Sequence, residues 1–167
     1  MIFDEPLWRF SASGTLLGIY GLVEWGLRRA GHGPDRPGVP SPAFLKVGIF
    51  AALTAFYLLI GPTGGALSGG WGNLAGILLA LAAVGLRVAV RNGVPGLRHP
   101  VIATRLVFYT ALPLAVGVPW GWLVFSLPAW ILWAVCTWRE DAILAERLGA
   151  PYRDLMARTD RLIPRIW

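Results

Sequence analysis

Long apolar runs separated by loops of alternating charge constrain this chain more than any other feature. Five runs stand out, at about 10–27, 44–60, 71–90, 100–116 and 120–138. Each is close to the roughly 17–25 residues a helix needs to cross a bilayer. The fourth carries Pro113 and the fifth Pro128, and a proline inside a span removes a backbone hydrogen bond and kinks the helix. The expected fold is therefore all-α: an integral membrane bundle of about five transmembrane helices, one domain over 1–167, with a cytosolic or interfacial helical tail at 139–167.

The loops orient the bundle. Arg28, Arg29 and Arg36 follow the first run, with Lys46 entering the second. Arg91 and Arg98 separate the third from the fourth, after Arg87 near the end of the third helix, where snorkelling to the interface is expected. Arg139, Arg147, Arg153, Arg158, Arg161 and Arg165 follow the fifth. The loops at 61–70 and 117–119 carry no charge. Basic residues collect on the cytoplasmic side, so the N-terminus is expected outside a bacterial inner membrane and the C-terminus inside. Trp8, Trp71, Trp120 and Trp122 fall at the outer boundary, as an interfacial aromatic belt requires. Asp4 and Glu5 replace the basic start of a cleavable signal, so the first span is expected to be retained.

Composition narrows the function classes. A net charge of +6 raises nucleic acid as a partner, but the basic residues sit between apolar spans, where topology explains them; the bilayer, not nucleic acid, is the expected partner. One cysteine, Cys136 within an apolar run, permits no disulfide framework and no cysteine-based metal site. With only His32 and His99 available, neither a Ser-His-Asp set nor a metal-ligand cluster is present in the sequence.

Beyond Trp138 the helical pattern runs on through Leu148 and stops at Gly149, with Pro151 just after. From Tyr152, the apolar Leu155, Met156, Leu162 and Ile163 alternate with Arg153, Asp154, Arg158 and Arg161 at helical spacing. That pattern predicts a basic amphipathic helix on the inner leaflet, or an ordinary helix folded back on the domain.

The chemistry concentrates where the fourth span begins. Pro100 suits the first turn of a helix, which leaves Arg98 and His99 just ahead of a helix N-terminus. Its free N–H groups and positive dipole end favour a carboxylate or phosphate. The plainer alternative is an arginine reaching to headgroups and a solvated histidine. The short connection between the fourth and fifth spans makes them antiparallel neighbours, so Arg139-Glu140-Asp141 returns to the same level. Adjacent carboxylates on a helix point about 100° apart, so only one of Glu140 and Asp141 faces such a pocket squarely. Arg105 and Glu24 lie within spans, where ionisable groups are costly and functional by default. Both are candidates for a catalytic role, with Arg105 recognising an anionic acceptor group; the alternative is an Arg105–Glu24 ion pair tying helices together.

Taken in order, Arg98-His99-Pro100, the hairpin, Glu140-Asp141, Leu144, Leu148-Gly149, Tyr152 and Arg161-Leu162-Ile163-Pro164 resemble the isoprenylcysteine carboxyl methyltransferase and phospholipid methyltransferase superfamily. The resemblance covers about the C-terminal 70 residues. It departs from the family pattern at Ile102 (for tyrosine), Thr104 (for glycine), Asp141 (for the second glutamate), Leu148 and Leu155. Threonine for glycine at 104 suggests a narrower or rearranged pocket. The resemblance implies an S-adenosylmethionine cofactor held by Arg98, His99, Pro100, Glu140 and Asp141, and a lipophilic methyl acceptor entering from the bilayer. A non-catalytic binding or assembly protein retaining the fold is the rival reading. No inverted repeat or pair of broken helices points to a transporter.

Overall fold

The computed structural model describes residues 6–31, 70–118 and 120–162, with side chains described from 11 and from 71 in the first two stretches. The expected second span, with Lys46, lies outside the described residues, as do His32, the side chain of Trp8 and residues 163–167. Among the described residues the chain is helical, with isolated bridges and no strand. The helices are α1 (Pro6–Arg29), α2 (Gly70–Ala89), α3 (Pro100–Ala115), α4 (Leu127–Leu148) and α5 (Ala150–Arg158).

The shortest of the long helices holds the centre. At 16 residues, α3 is about 24 Å long at 1.5 Å per residue, and it is apolar on nearly every side, the mark of a buried helix. Phe108, Ala111, Leu112 and Ala115 are fully enclosed, with α1 contributing Leu16 and Tyr20 to the same core. Along α2 and into the turn that follows it, the buried residues Asn73, Gly76, Ala80, Ala83, Arg87 and Val90 recur every three or four positions, forming one face. Their small side chains let α2 and α3 approach closely. At Gly76 a Cβ would stand 2.2 Å from the Ala115 backbone nitrogen, so only glycine fits. Asn73 Nδ2 donates to the Ala115 carbonyl at 3.1 Å, satisfying an oxygen the helix end leaves without a partner.

The opposite faces are apolar. Trp71, Leu74, Leu78, Leu81 and Val88 of α2 are exposed, as are Leu123, Leu127, Ile131, Val135 and Trp138 along α4 and the turn before it. The stretches Trp71–Asn92 and Trp122–Leu148 are each long and apolar enough to cross a membrane. Arg87 and Arg105 lie inside while these large apolar side chains face outward, the reverse of a soluble helix pair.

Pro128 acts through the turn that precedes it. Trp122–Ser126 is π-helical and leads directly into α4. The wider spacing accommodates the proline ring, which in a regular helix collides with the carbonyl four residues earlier. Ser126 Oγ donates to the Tyr109 carbonyl at 2.8 Å, and Trp122 Nε1 to the Thr110 carbonyl at 2.9 Å, holding this turn against α3.

The tail differs from an amphipathic helix continuing to Ile163. Gly149, with φ of 66°, ends α4 and starts α5, which stops at Arg158. Thr159 is extended, and the chain then pairs with the loop before α3: Arg98 N donates to the Asp160 carbonyl at 2.9 Å and His99 N to the Arg161 carbonyl at 3.1 Å. Asp160 N donates back to the Gly96 carbonyl at 2.9 Å. Leu162 is buried against Ile102 and Leu106. Burying one leucine and satisfying three backbone groups outweighs another helical turn in solvent.

Candidate functional site

His99 ends a loop whose shape is set locally. Gly96 adopts a φ of 82°, in the left-handed region, and closes a turn in which Leu97 N donates to the Val94 carbonyl at 3.1 Å. His99 then precedes α3 with Pro100 in its first turn. Its carbonyl accepts from Ile102 and Ala103, each at 3.1 Å. Beside this start lies a cleft of about 530 Å³, bounded by the 90–95 loop, Arg98, His99, Pro100, Glu140, Leu155 and Thr159.

The two acids at the end of α4 have separate surroundings. Glu140 lines the cleft, its Oε2 3.8 Å from His99 Nδ1. Asp141 is 1 % exposed and does not line it. Asp141 Oδ1 accepts from Tyr152 Oη at 2.7 Å and meets His99 Nε2 at 3.0 Å. Asp141 Oδ2 accepts from Arg161 Nε at 2.8 Å and lies 3.2 Å from Arg98 Nη1. Burial alone pushes the Asp141 carboxyl upward, but hydrogen bonds from His99, Tyr152 and Arg161 outweigh it and hold the group well below the usual carboxylate range. An ionised carboxylate only accepts, so the shared proton belongs to His99 Nε2, and the imidazole is fixed with Nδ1 toward Glu140. One buried carboxylate thus ties together the α3 start, α4, α5 and the C-terminal segment.

Of the residues expected at the site, Arg98, His99, Pro100 and Glu140 line one cleft. Asp141 stands behind His99. Ile102 also lines the cleft. Thr104 does not: it is buried, and its hydroxyl donates to the Val101 carbonyl at 2.8 Å. Threonine in place of glycine therefore does not narrow this cleft.

Arg105 and Glu24 form a second centre, and neither lines the cleft. Arg105 Nη2 is bonded to Glu24 Oε1, and Arg87 Nε donates to Glu24 Oε2 at 2.8 Å. Arg28 Nε lies 3.7 Å from Glu24 on the partly exposed edge of α1. The Arg105 guanidinium also sits 5.0 Å over the Trp133 ring. Arg87 does not snorkel: its side chain is 0 % exposed. Its place on the small-residue face of α2 directs it inward, a signal the sequence carries in the spacing from Asn73 to Val90. Tyr152 and Arg161, which complete the Asp141 knot, have no such periodic signal, because their roles depend on the chain folding back. Among the described residues no group of His, Cys, Asp and Glu is arranged to hold a metal ion.

No protein-family model matches this chain, and no curated protein or solved structure matches it significantly.

Proposed function

We propose that this chain is an integral membrane enzyme transferring a methyl group from S-adenosylmethionine to a lipophilic acceptor. In this reading about five helices cross an inner membrane, and the α3 start faces the cytoplasm. The observation that carries it is the single cleft combining a helix N-terminus, Arg98, His99 and Glu140. Its volume of about 530 Å³ lies in the roughly 300–1,000 Å³ range of small-molecule pockets. The donor set fits a zwitterionic nucleoside: Arg98 and the helix start suit a carboxylate, while Glu140 suits an ammonium or a ribose diol. The cofactor supplies an electrophilic methyl on a sulfonium. This chain's part is to hold both reactants in line and keep water away, as positioning and desolvation do in other sites. The exposed apolar faces of α2 and α4 favour an acceptor arriving through the bilayer.

A non-catalytic binding or assembly role is the second reading. It is favoured by Asp141, whose oxygens are already engaged by His99, Tyr152, Arg98 and Arg161, an arrangement that serves structure as well as chemistry. Calorimetric titration of the detergent-solubilised full chain with S-adenosylmethionine tests the proposal. Micromolar binding that Glu140→Gln weakens at least tenfold supports it, and saturable binding without turnover on any lipid supports the second reading. Absence of binding to the folded wild type removes the cofactor.

A further inference from the structure

The histidine in the cleft is held in a way that binding a cofactor does not require. His99 lines the cleft, and its two ring nitrogens stand in different surroundings. Nε2 lies 3.0 Å from Asp141 Oδ1, behind the cleft wall. Nδ1 lies 3.8 Å from Oε2 of Glu140, which lines the cleft. That distance is too long for a hydrogen bond. An ionised carboxylate can only accept, so Asp141 draws the ring proton to Nε2, and in the neutral ring Nδ1 carries a lone pair. Tyr152 and Arg161 anchor Asp141 in turn. The backbone is fixed as well: His99 N donates to the Arg161 carbonyl, and the His99 carbonyl accepts from Ile102 and Ala103. A basic nitrogen oriented by a buried carboxylate and set beside a cavity has the geometry of a general base.

What such a base acts on follows from the proton balance. Methyl transfer from a sulfonium to an ionised carboxylate releases no proton and needs no base. Transfer to a thiol or an alkylammonium leaves one proton that must go elsewhere. Glu140 also repels a second carboxylate brought beside His99. We propose that His99 is the general base of the transfer, that Asp141 is its positioning residue, and that the acceptor carries a removable proton on nitrogen or sulfur. Nδ1 takes that proton and frees the electron pair that bonds the methyl carbon, while the carbon–sulfur electrons leave with the thioether product. The imidazolium so formed lies between Asp141 and Glu140, which stabilise it until the proton passes to water. Val90, Val94, Leu97, Ile102 and Leu155 line the same cleft and suit an alkyl chain, with Val94 and Leu155 the exposed members. This role rests on the methyl-transfer reading of the cleft and names the acceptor class for it.

The first test needs no cofactor. Nitrogen NMR of the full chain, labelled at histidine and kept in neutral detergent at about pH 8, reads the protonation of each ring nitrogen. His32→Gln assigns the two histidines. The expected ring has its proton on Nε2 and none on Nδ1, and a proton on Nδ1 overturns the role. The second test follows labelled methyl from S-adenosylmethionine to dodecylamine, dodecanethiol or laurate. Wild type should methylate the amine or the thiol. His99→Gln should lower kcat about 100-fold to 10,000-fold, while calorimetry shows cofactor affinity changed by less than about tenfold, or about 1.4 kcal/mol. In His99→Ala, added imidazole should restore part of the rate, a rescue that a purely structural histidine does not give. Transfer to laurate alone, or His99→Gln within about tenfold of the wild-type kcat, overturns the general base but leaves methyl transfer standing. Failure of the folded wild type to bind S-adenosylmethionine removes both. The tautomer and the acceptor are read on wild-type His99, so they decide the matter even if His99→Gln does not fold.

Discussion

Replacing Asp141 with asparagine keeps the volume and removes the charge. Its two oxygens serve different partners: Oδ1 faces His99 and Tyr152, and Oδ2 faces Arg161 and Arg98 at 2.8 and 3.2 Å. An asparagine can retain the first pair through its carbonyl. Its amide then points two N–H groups at two guanidiniums, neither of which can accept. Asp141 is 1 % exposed and the Arg98 side chain 8 %, so solvent does little to screen the loss. Leaving a buried charge without its partner costs about 3–5 kcal/mol, a large part of the roughly 5–15 kcal/mol that holds a domain folded. Equilibrium unfolding in mixed micelles measures it. Hydrogen exchange locates it, and the expected increase is confined to residues 96–99 and 159–162, which share backbone hydrogen bonds. A loss under about 1 kcal/mol, as for an exposed pair, or unchanged exchange at 159–162, refutes the reasoning. Acid provides a second readout. Asp141 titrates below its ordinary range in the folded chain, so its contribution is fully present above the unfolded pKa of about 4. It is lost as pH falls through the lowered folded value. Wild type should lose stability below about pH 4, and Asp141→Asn should lose less over the same interval.

Other substitutions probe other joints of the structure. Tyr152→Phe removes one hydrogen bond to a buried carboxylate and should cost about 1.5–3 kcal/mol in the same unfolding assay, with a sub-additive effect beside Asp141→Asn. Gly76→Ala forces a methyl against the α3 backbone at Ala115, which cannot yield as a side chain does. A loss of about 1–3 kcal/mol or more is expected from overpacking, read as a lower Tm. Ser126→Ala deletes the bond from the π-helical turn to the Tyr109 carbonyl and should cost about 1 kcal/mol.

Much of the helical plan is legible in the amino-acid sequence. The apolar runs at 71–90, 100–116 and 120–138 correspond to α2, α3 and the helical stretch ending in α4, because long apolar runs announce helices by length and composition. Pro100 and Gly149 mark ends because each has a backbone property no other residue shares. That Arg98 and Glu140 meet in one cleft follows from the short hairpin connecting their helices. The partition of Glu140 from Asp141 is only half legible: helix geometry separates the two side chains, but which one turns inward depends on Tyr152 and Arg161. The C-terminal segment misleads because Leu162 and Arg161 have helical spacing on paper. Their partners, Ile102 and Asp141, are remote in sequence and reward an extended chain. Arg87 misleads differently, since its nearness to a span end suggests an interface, while its face on α2 aims it at Glu24.

The central claim concerns what occupies the cleft beside His99, and the most direct measurement is an experimental structure of the full chain with S-adenosylhomocysteine. The expected result is ligand density between the 90–95 loop, His99 and Glu140, with Asp141 still bonded to His99 behind it. Density elsewhere, or a cleft filled by protein side chains at saturating ligand, contradicts the assignment.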